Sequence, residues 1–143
     1  MAKPDPELLD PERYSFHCQL ETRFSDLDAN RHINNVAFTE LLQEGRVRFH
    51  RASNYTAHSD DMRTMVVSLA IEYLGQGYFP DMLEGHAAIS RMGRTSFELN
   101  QLITQNGRVA VFARATLVCI ADDRPREIPA EFAASARQWM FRA

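Results

Sequence analysis

Lysine is almost missing from this 143-residue chain: Lys3 stands alone, so fifteen of the sixteen basic residues are arginine. Arginine suits bidentate contact with phosphate or carboxylate, although a GC-rich genome gives the same bias without a functional cause. Cysteine is scarce too. Cys18 and Cys119 lie in apolar stretches without CxxC spacing, which excludes a disulfide framework and leaves two buried, reduced thiols of a cytosolic protein as the expectation. A basic surplus is also lacking. The formal net charge of −3 argues against a nucleic-acid binder. No apolar run approaches a membrane span, since the longest, Val109 to Ala121, is broken by Arg114. The Pro-rich, acidic start from Met1 to Arg13 has no secretory apolar region. Neither nucleic acid nor membrane is expected as a partner, and cytoplasm is the expected location.

What is present is 45% hydrophobic and 24% charged residues, the balance of one globular domain over residues 1–143, with 1–13 as an N-terminal extension. A chain of this size buries roughly 65–70% of its unfolded surface, enough for a core without a structural metal.

Phe16, Cys18, Leu20, Thr22 and Phe24 alternate with His17, Gln19, Glu21 and Arg23, which predicts a half-buried strand from Ser15 to Phe24. After Asn35 the period changes. Phe38, Leu41, Leu42, Gly45 and Phe49 share one helical face, with Glu40, Gln43, Glu44, Arg48 and Arg51 opposite, and Asn34 or Asn35 can cap the start. Gly45 costs about 1 kcal/mol against Ala there, which marks a close approach of helix to sheet. Four β-rich stretches follow, Thr64 to Leu74, Met82 to Met92, Thr95 to Thr104 and Arg108 to Ile120, the last two joined by the hairpin signal Asn106-Gly107. Tyr78 to Asp81 breaks the chain between the first two. A final helix over 129–143 places Phe132, Ala136, Trp139 and Met140 on one face. The fold class is α+β, a long helix wrapped by a five- to six-stranded, mostly antiparallel sheet. One helix cannot cover both faces of such a sheet, so unless the C-terminal helix covers the second, a homodimer is expected.

The polar segment between the first strand and the helix concentrates the chemistry. Within Asp26-Leu27-Asp28-Ala29-Asn30-Arg31-His32 stand two carboxylates, a carboxamide and an imidazole. They precede a helix N-terminus whose free N–H groups can hold a carbonyl oxygen. A carboxylate there can attack, or activate water to attack, an ester or thioester. The opening D-x-D-x-N fails as a calcium loop, because Arg31 occupies the position of the required glycine and Ala37 that of the required glutamate. His32 has no second ligand at metal spacing, so no metal is expected. A serine hydrolase lacks its G-x-S-x-G, and Gly75-Gln76-Gly77 is too short for a dinucleotide loop. Glu40 and Glu44 are read as solvated or interfacial, and His86 has no predicted partner.

The string Asp26 to Phe38 resembles the D-x-D-x-x-x-H-[VI]-N-N-x-x-[YF] signature of hot-dog-fold acyl thioesterases of the 4-hydroxybenzoyl-CoA and acyl-ACP types. Glu44-Gly45-Arg46 resembles the family's E-x-R, and Arg91 to Phe97 its R-x-G-x-x-S-[FY] strand. The resemblance implies Asp28 as nucleophile or general base, and Asn30 and His32 as groups that position the carbonyl. It also implies that N–H groups around Asn34, Asn35 and Val36 act as the oxyanion donors. Arg31, Arg91 and Arg94 are expected to contact the phosphates of coenzyme A, and Ser96 the substrate or a partner chain. No cofactor is implied beyond the coenzyme A or carrier pantetheine of the substrate, and the assembly implied is a homodimer or a dimer of dimers. The Glu-Cys pair of the acyl-ACP branch is absent from Glu72 to Gly77, which favours an acyl-CoA thioesterase. An enoyl-CoA hydratase of the same fold and a non-catalytic acyl-CoA-binding module stay open as alternatives.

Overall fold

The alternation of the first strand stops at Leu20. In the computed structural model, which describes residues 3–55 and 63–142, strand β1 is Phe16–Leu20 and not the stretch expected to reach Phe24. Phe24 opens a 3₁₀ turn, Phe24–Asp26, and stands 75% exposed. The carboxylate of Asp26 draws the chain into this turn by accepting from the Arg23 backbone N–H at 3.0 Å, and a local side-chain bond of this kind outcompetes a strand ladder.

Helix α1, Asn35–Ala52, buries Phe38, Leu41, Leu42, Gly45 and Phe49, the face expected from the 3.6 period. Asn34 caps it by accepting from Ala37 N–H at 2.7 Å. Gly45 does mark a close approach, for a Cβ at that position would lie 3.2 Å from Gln101 Nε2. Arg46 also points inward, donating to Gln101 Oε1 at 3.1 Å while Gln101 Nε2 donates to the Leu42 carbonyl at 2.9 Å. The helix and sheet are thus joined at mid-length by a polar bridge as well as by apolar contact.

Strands β2 (Arg63–Tyr73), β3 (Leu83–Met92), β4 (Ser96–Gln105) and β5 (Arg108–Ala121) fall within one residue of their expected ends. A short β6, Arg124–Pro125, pairs with β5. The sheet is antiparallel throughout, in the order β1-β3-β4-β5-β2. Asn106 and Gly107 both take positive φ, 51° and 79°, as the two-residue hairpin requires.

On the inner face Leu20, Leu83, Ile103 and Val111 pack under the first half of α1. Ile89, Phe97, Leu99, Leu117 and Cys119 pack with Phe49 and Tyr55 at its end. The expected helix over 129–143 is shorter: α2 spans Ala130–Ser135, a 3₁₀ turn follows over Ala136–Trp139, and Met140 is already extended, bridging Ile89. Residue 143, like residues 1 and 2, lies outside the described residues. Phe132 and Ala136 add to the cluster around Phe49, so α2 extends the inner face instead of covering the outer one. The outer face is reached by the other end of the chain, where Leu8, Leu9 and Tyr14 lie with Phe141 over Ala88, Leu102 and Phe112.

Candidate active site

Loop residues 26–34 are folded by their own polar groups. Asp28 N–H donates to the His32 carbonyl at 2.9 Å and Arg31 N–H to the Asp28 carbonyl at 3.0 Å, while Leu27 bridges Ile33. This clasp holds Arg31 at φ 61°, a left-handed conformation uncommon for a residue with a Cβ. Asn34 locks the loop to the helix. Its N–H and its Nδ2 both donate to the Asp26 carbonyl at 2.8 Å while its Oδ1 caps α1.

The two aspartates have separate fates. Asp26 is 2% exposed, and its carboxylate accepts from the Arg23 backbone and from Arg23 Nε and Nη2, the guanidinium also reaching Glu40 at 2.9 Å. It is a structural ion pair. Asp28 is exposed, and its Oδ1 accepts from Asn30 N–H at 2.8 Å and His32 N–H at 3.2 Å. Its Oδ2 has no partner among the described residues.

Asp28 and Asn35 line one cleft of about 390 Å³, with Ile33, Phe38, Tyr73, Leu74, Gly75 and Gln76. Tyr73 and the two glycines carried no site role in the sequence. The signal was present in Gly75-Gln76-Gly77, whose glycines serve close backbone approach. A Cβ on Gly77 would lie 2.8 Å from Ile33 Cδ1 and 2.9 Å from Phe38 Cζ, and one on Gly75 would lie 2.7 Å from the Val109 carbonyl. The Gly77 carbonyl accepts from Ile33 N–H at 2.9 Å, which ties this loop to the Asp28 loop.

Of the expected oxyanion donors, Asn34 N–H is already used by the Asp26 carbonyl, whereas Asn35 and Val36 occupy the first turn of α1, where N–H groups have no intrahelical acceptor. The His32 ring stands edge-on to Tyr78, centroids 5.3 Å apart, and no hydrogen bond links its imidazole or the Asn30 carboxamide to Asp28 among the described residues. Arg31 sits on the loop itself, exposed. Arg91, Arg94 and Ser96 do not: they lie where β3 ends and β4 begins, roughly 30 Å along the strand from the end that faces Asp28. Arg94 pairs with Glu127 at 3.0 Å, and Ser96 faces Val118 in the ladder. Glu44 pairs with Arg48 at 2.8 Å, so both helix carboxylates are held by surface arginines. His86, expected to lack partners, has two, His17 Nδ1 at 2.7 Å and Thr104 Oγ1 at 2.9 Å. No group of three or more His, Cys, Asp or Glu among the described residues is arranged to hold a metal ion.

The family model of the thioesterase-like superfamily matches residues 22–136, which takes in the Asp28 loop, α1 and the sheet from β2 onward. The chain belongs to the thioesterase-like superfamily. Among superfamily relatives, the long-chain acyl-CoA thioesterase FadM of Escherichia coli is 31% identical over 108 residues, covering 71% of this chain and 80% of its own. The acyl-CoA thioester hydrolase YbgC of Escherichia coli is 26% identical over 129 residues, covering 86% and 96%. Among solved structures, the PA5185 protein of Pseudomonas aeruginosa superposes with a TM-score of 0.83 at 21% identity, covering 93% of this chain and 96% of that one. A Thermus thermophilus thioesterase complexed with coenzyme A and Zn gives 0.78 at 24%, covering 88% and 94%. At these identities the structural matches bear on the fold, which is the thioesterase-like hot-dog of one helix wrapped by an antiparallel sheet.

Proposed function

We propose that this superfamily member hydrolyses acyl-CoA thioesters to a free acid and a thiol, with Asp28 as the reacting carboxylate. The observation that carries the reading is the state of Asp28 at the cleft. One oxygen is fixed by two loop N–H groups and the other is left open, in a cleft that also contains the first residue of α1. A thioester carbonyl seated there accepts from the N–H groups of Asn35 and Val36, which stabilise the negative charge that grows on its oxygen. The free oxygen of Asp28 then attacks the carbonyl carbon or takes a proton from water that does so. The C–S bond breaks and the thiolate leaves, taking up the proton that water gives; where Asp28 itself has attacked, water then cleaves the acyl–Asp28 anhydride, which releases the free acid and restores the carboxylate. Asn30 and His32 hold Asp28 Oδ1 through their backbone N–H groups, and in this reading their side chains orient the substrate as it enters. The acyl-CoA substrate follows the two curated relatives, both named for acyl-CoA thioesters.

The working unit in this reading is a pair of chains. Among the described residues strand β2 has a neighbour on one side only, and its Met65, Val66, Val67 and Tyr73 are 40–51% exposed. A long apolar edge of this kind is a template for pairing. Antiparallel pairing of two β2 edges brings the Met92–Ser96 end of one copy toward the Asp28 end of the other. In that arrangement Arg91, Arg94 and Ser96 serve the neighbouring site, and Arg31 serves its own.

Thiol release from a panel of acyl-CoAs, followed for the wild type and Asp28→Ala, tests the assignment. The expected result is turnover by the wild type and a loss of at least about 100-fold in kcat in the variant. Undiminished turnover in Asp28→Ala, or hydration of an enoyl-CoA without thiol release, refutes it.

A further inference from the structure

We propose that the acyl group taken by this site is compact, a single aromatic ring or a chain of about six to eight carbons, and that Phe38 and Tyr73 set the limit. The proposal rests on the hydrolase reading above and names the substrate class within it.

The cleft that contains Asp28 and Asn35 is walled on its apolar side by Ile33, Phe38, Tyr73 and Leu74. Within one chain its volume of about 390 Å³ is at the small end of the range for ligand sites, and the thioester and the end of the pantetheine arm share it with the acyl group. Phe38 closes the inner end. It is 2% exposed, it lies three residues into α1, and its ring is held by the Gly77 backbone below and the Tyr73 ring beside it, centroids 6.4 Å apart. The Tyr73 hydroxyl reaches the Asn35 carbonyl at 3.4 Å, which places that ring against the first turn of the helix.

Behind Phe38 the described residues of α1 and the sheet close together. The cavity between α1 and the sheet, lined by Leu41, Leu42, Gly45 and Gln101 among others, is about 10 Å³. On that measure a single water needs about 10–15 Å³, so an alkyl chain has no room to thread there. The hydrogen bonds from Arg46 to Gln101 and from Gln101 to the Leu42 carbonyl cross the same space, and a chain passing through would leave those buried groups unpaired. The first turn of the helix therefore carries the stop for the acyl group. The class differs from that in the name of the long-chain relative.

Two measurements test the proposal separately from the hydrolase reading. The first is kcat/KM for benzoyl-, hexanoyl-, octanoyl-, dodecanoyl- and palmitoyl-CoA, below micellar concentrations, for the wild type, Phe38→Leu and Tyr73→Ala. The expected wild-type optimum lies among the first three, about tenfold or more above palmitoyl, and each variant raises the dodecanoyl-to-hexanoyl ratio at least about fivefold. The second is calorimetric binding of the non-hydrolysable S-hexyl- and S-hexadecyl-CoA thioethers, which ranks tail length even if no thioester is turned over. Tighter binding of S-hexyl-CoA is expected. A wild-type optimum at palmitoyl, tighter binding of the hexadecyl thioether, or a length profile unchanged in both variants overturns the proposal and puts the tail outside the cleft, along the exposed side of β2.

Discussion

His50 is partly buried and His86 buried, each beside a basic group that disfavours an imidazolium. Burial, then the Arg46 guanidinium, pushes the His50 pKa down to about 4, and burial, then His17, does the same for His86. Both rings are therefore neutral in the fold and protonate more readily in the unfolded chain, whose histidines titrate near 6.5. Their contribution to stability is complete above pH 6.5 and is lost as the pH falls through the window from 6.5 to about 4. Each group contributes at most about 1.4 kcal/mol per pH unit inside that window. Denaturant unfolding at pH 7.5 and 5.0 is expected to show lower stability at pH 5.0, and His86→Gln is expected to flatten the dependence. An equal dependence in the variant places the proton uptake elsewhere. Neither histidine was legible in the sequence as a buried group. The His86 contacts join positions 17, 86 and 104, which only strand register brings together. Arg46 was hidden for a similar reason, because its partner Gln101 lies 55 residues away.

At the scale of elements the local signals were strong. The helix face, the cap, the four long strands and the Asn106-Gly107 turn each depend on neighbours in sequence, and each was readable. The loop between β1 and α1 was readable in content but not in shape. Asp26 and Asp28 look alike in composition and spacing; the resemblance singles out Asp28, and the three-dimensional fork of Arg23 onto Asp26 supplies the physical reason why Asp26 is tied up in an ion pair. Asn34 is the element's joint, since it caps α1 with Oδ1 while binding the Asp26 carbonyl with Nδ2. Asn34→Ala is expected to cost about 1–2 kcal/mol by denaturant midpoint. It is also expected to lower kcat more than it raises KM, because the N–H groups at the start of α1 lose their fixed relation to Asp28. A change in stability with unaltered kinetics would show that the loop holds its shape without this joint. Stored ion pairs such as Arg23–Glu40 and Arg48–Glu44 are surface pairs, worth little each, and the reading of Glu40 and Glu44 as non-catalytic agrees with those contacts.

For the whole molecule, the exposed apolar edge of β2 is the surface on which a second copy is expected to pair. Val67→Lys puts a charge in the middle of that edge and is expected to give monomers by light scattering, with thiol release falling in step. Monomers that keep full turnover would separate the site from the pairing. The opposite side of the sheet has a different character. Leu8, Leu9 and Tyr14 already lie across Ala88, Leu102 and Phe112, the Tyr14 hydroxyl donates to the Leu8 carbonyl at 2.6 Å, and Arg13 and Arg142 exchange hydrogen bonds that tie the two ends of the described chain together. Those residues occupy the surface that back-to-back stacking of two sheets would need. An assembly built that way must first peel off the hydrogen-bonded ends, losing their buried aromatic and aliphatic contacts, whereas growth sideways through β2 leaves them in place. The tied ends thus act as a geometric veto on one of the two directions in which these sheets can multiply.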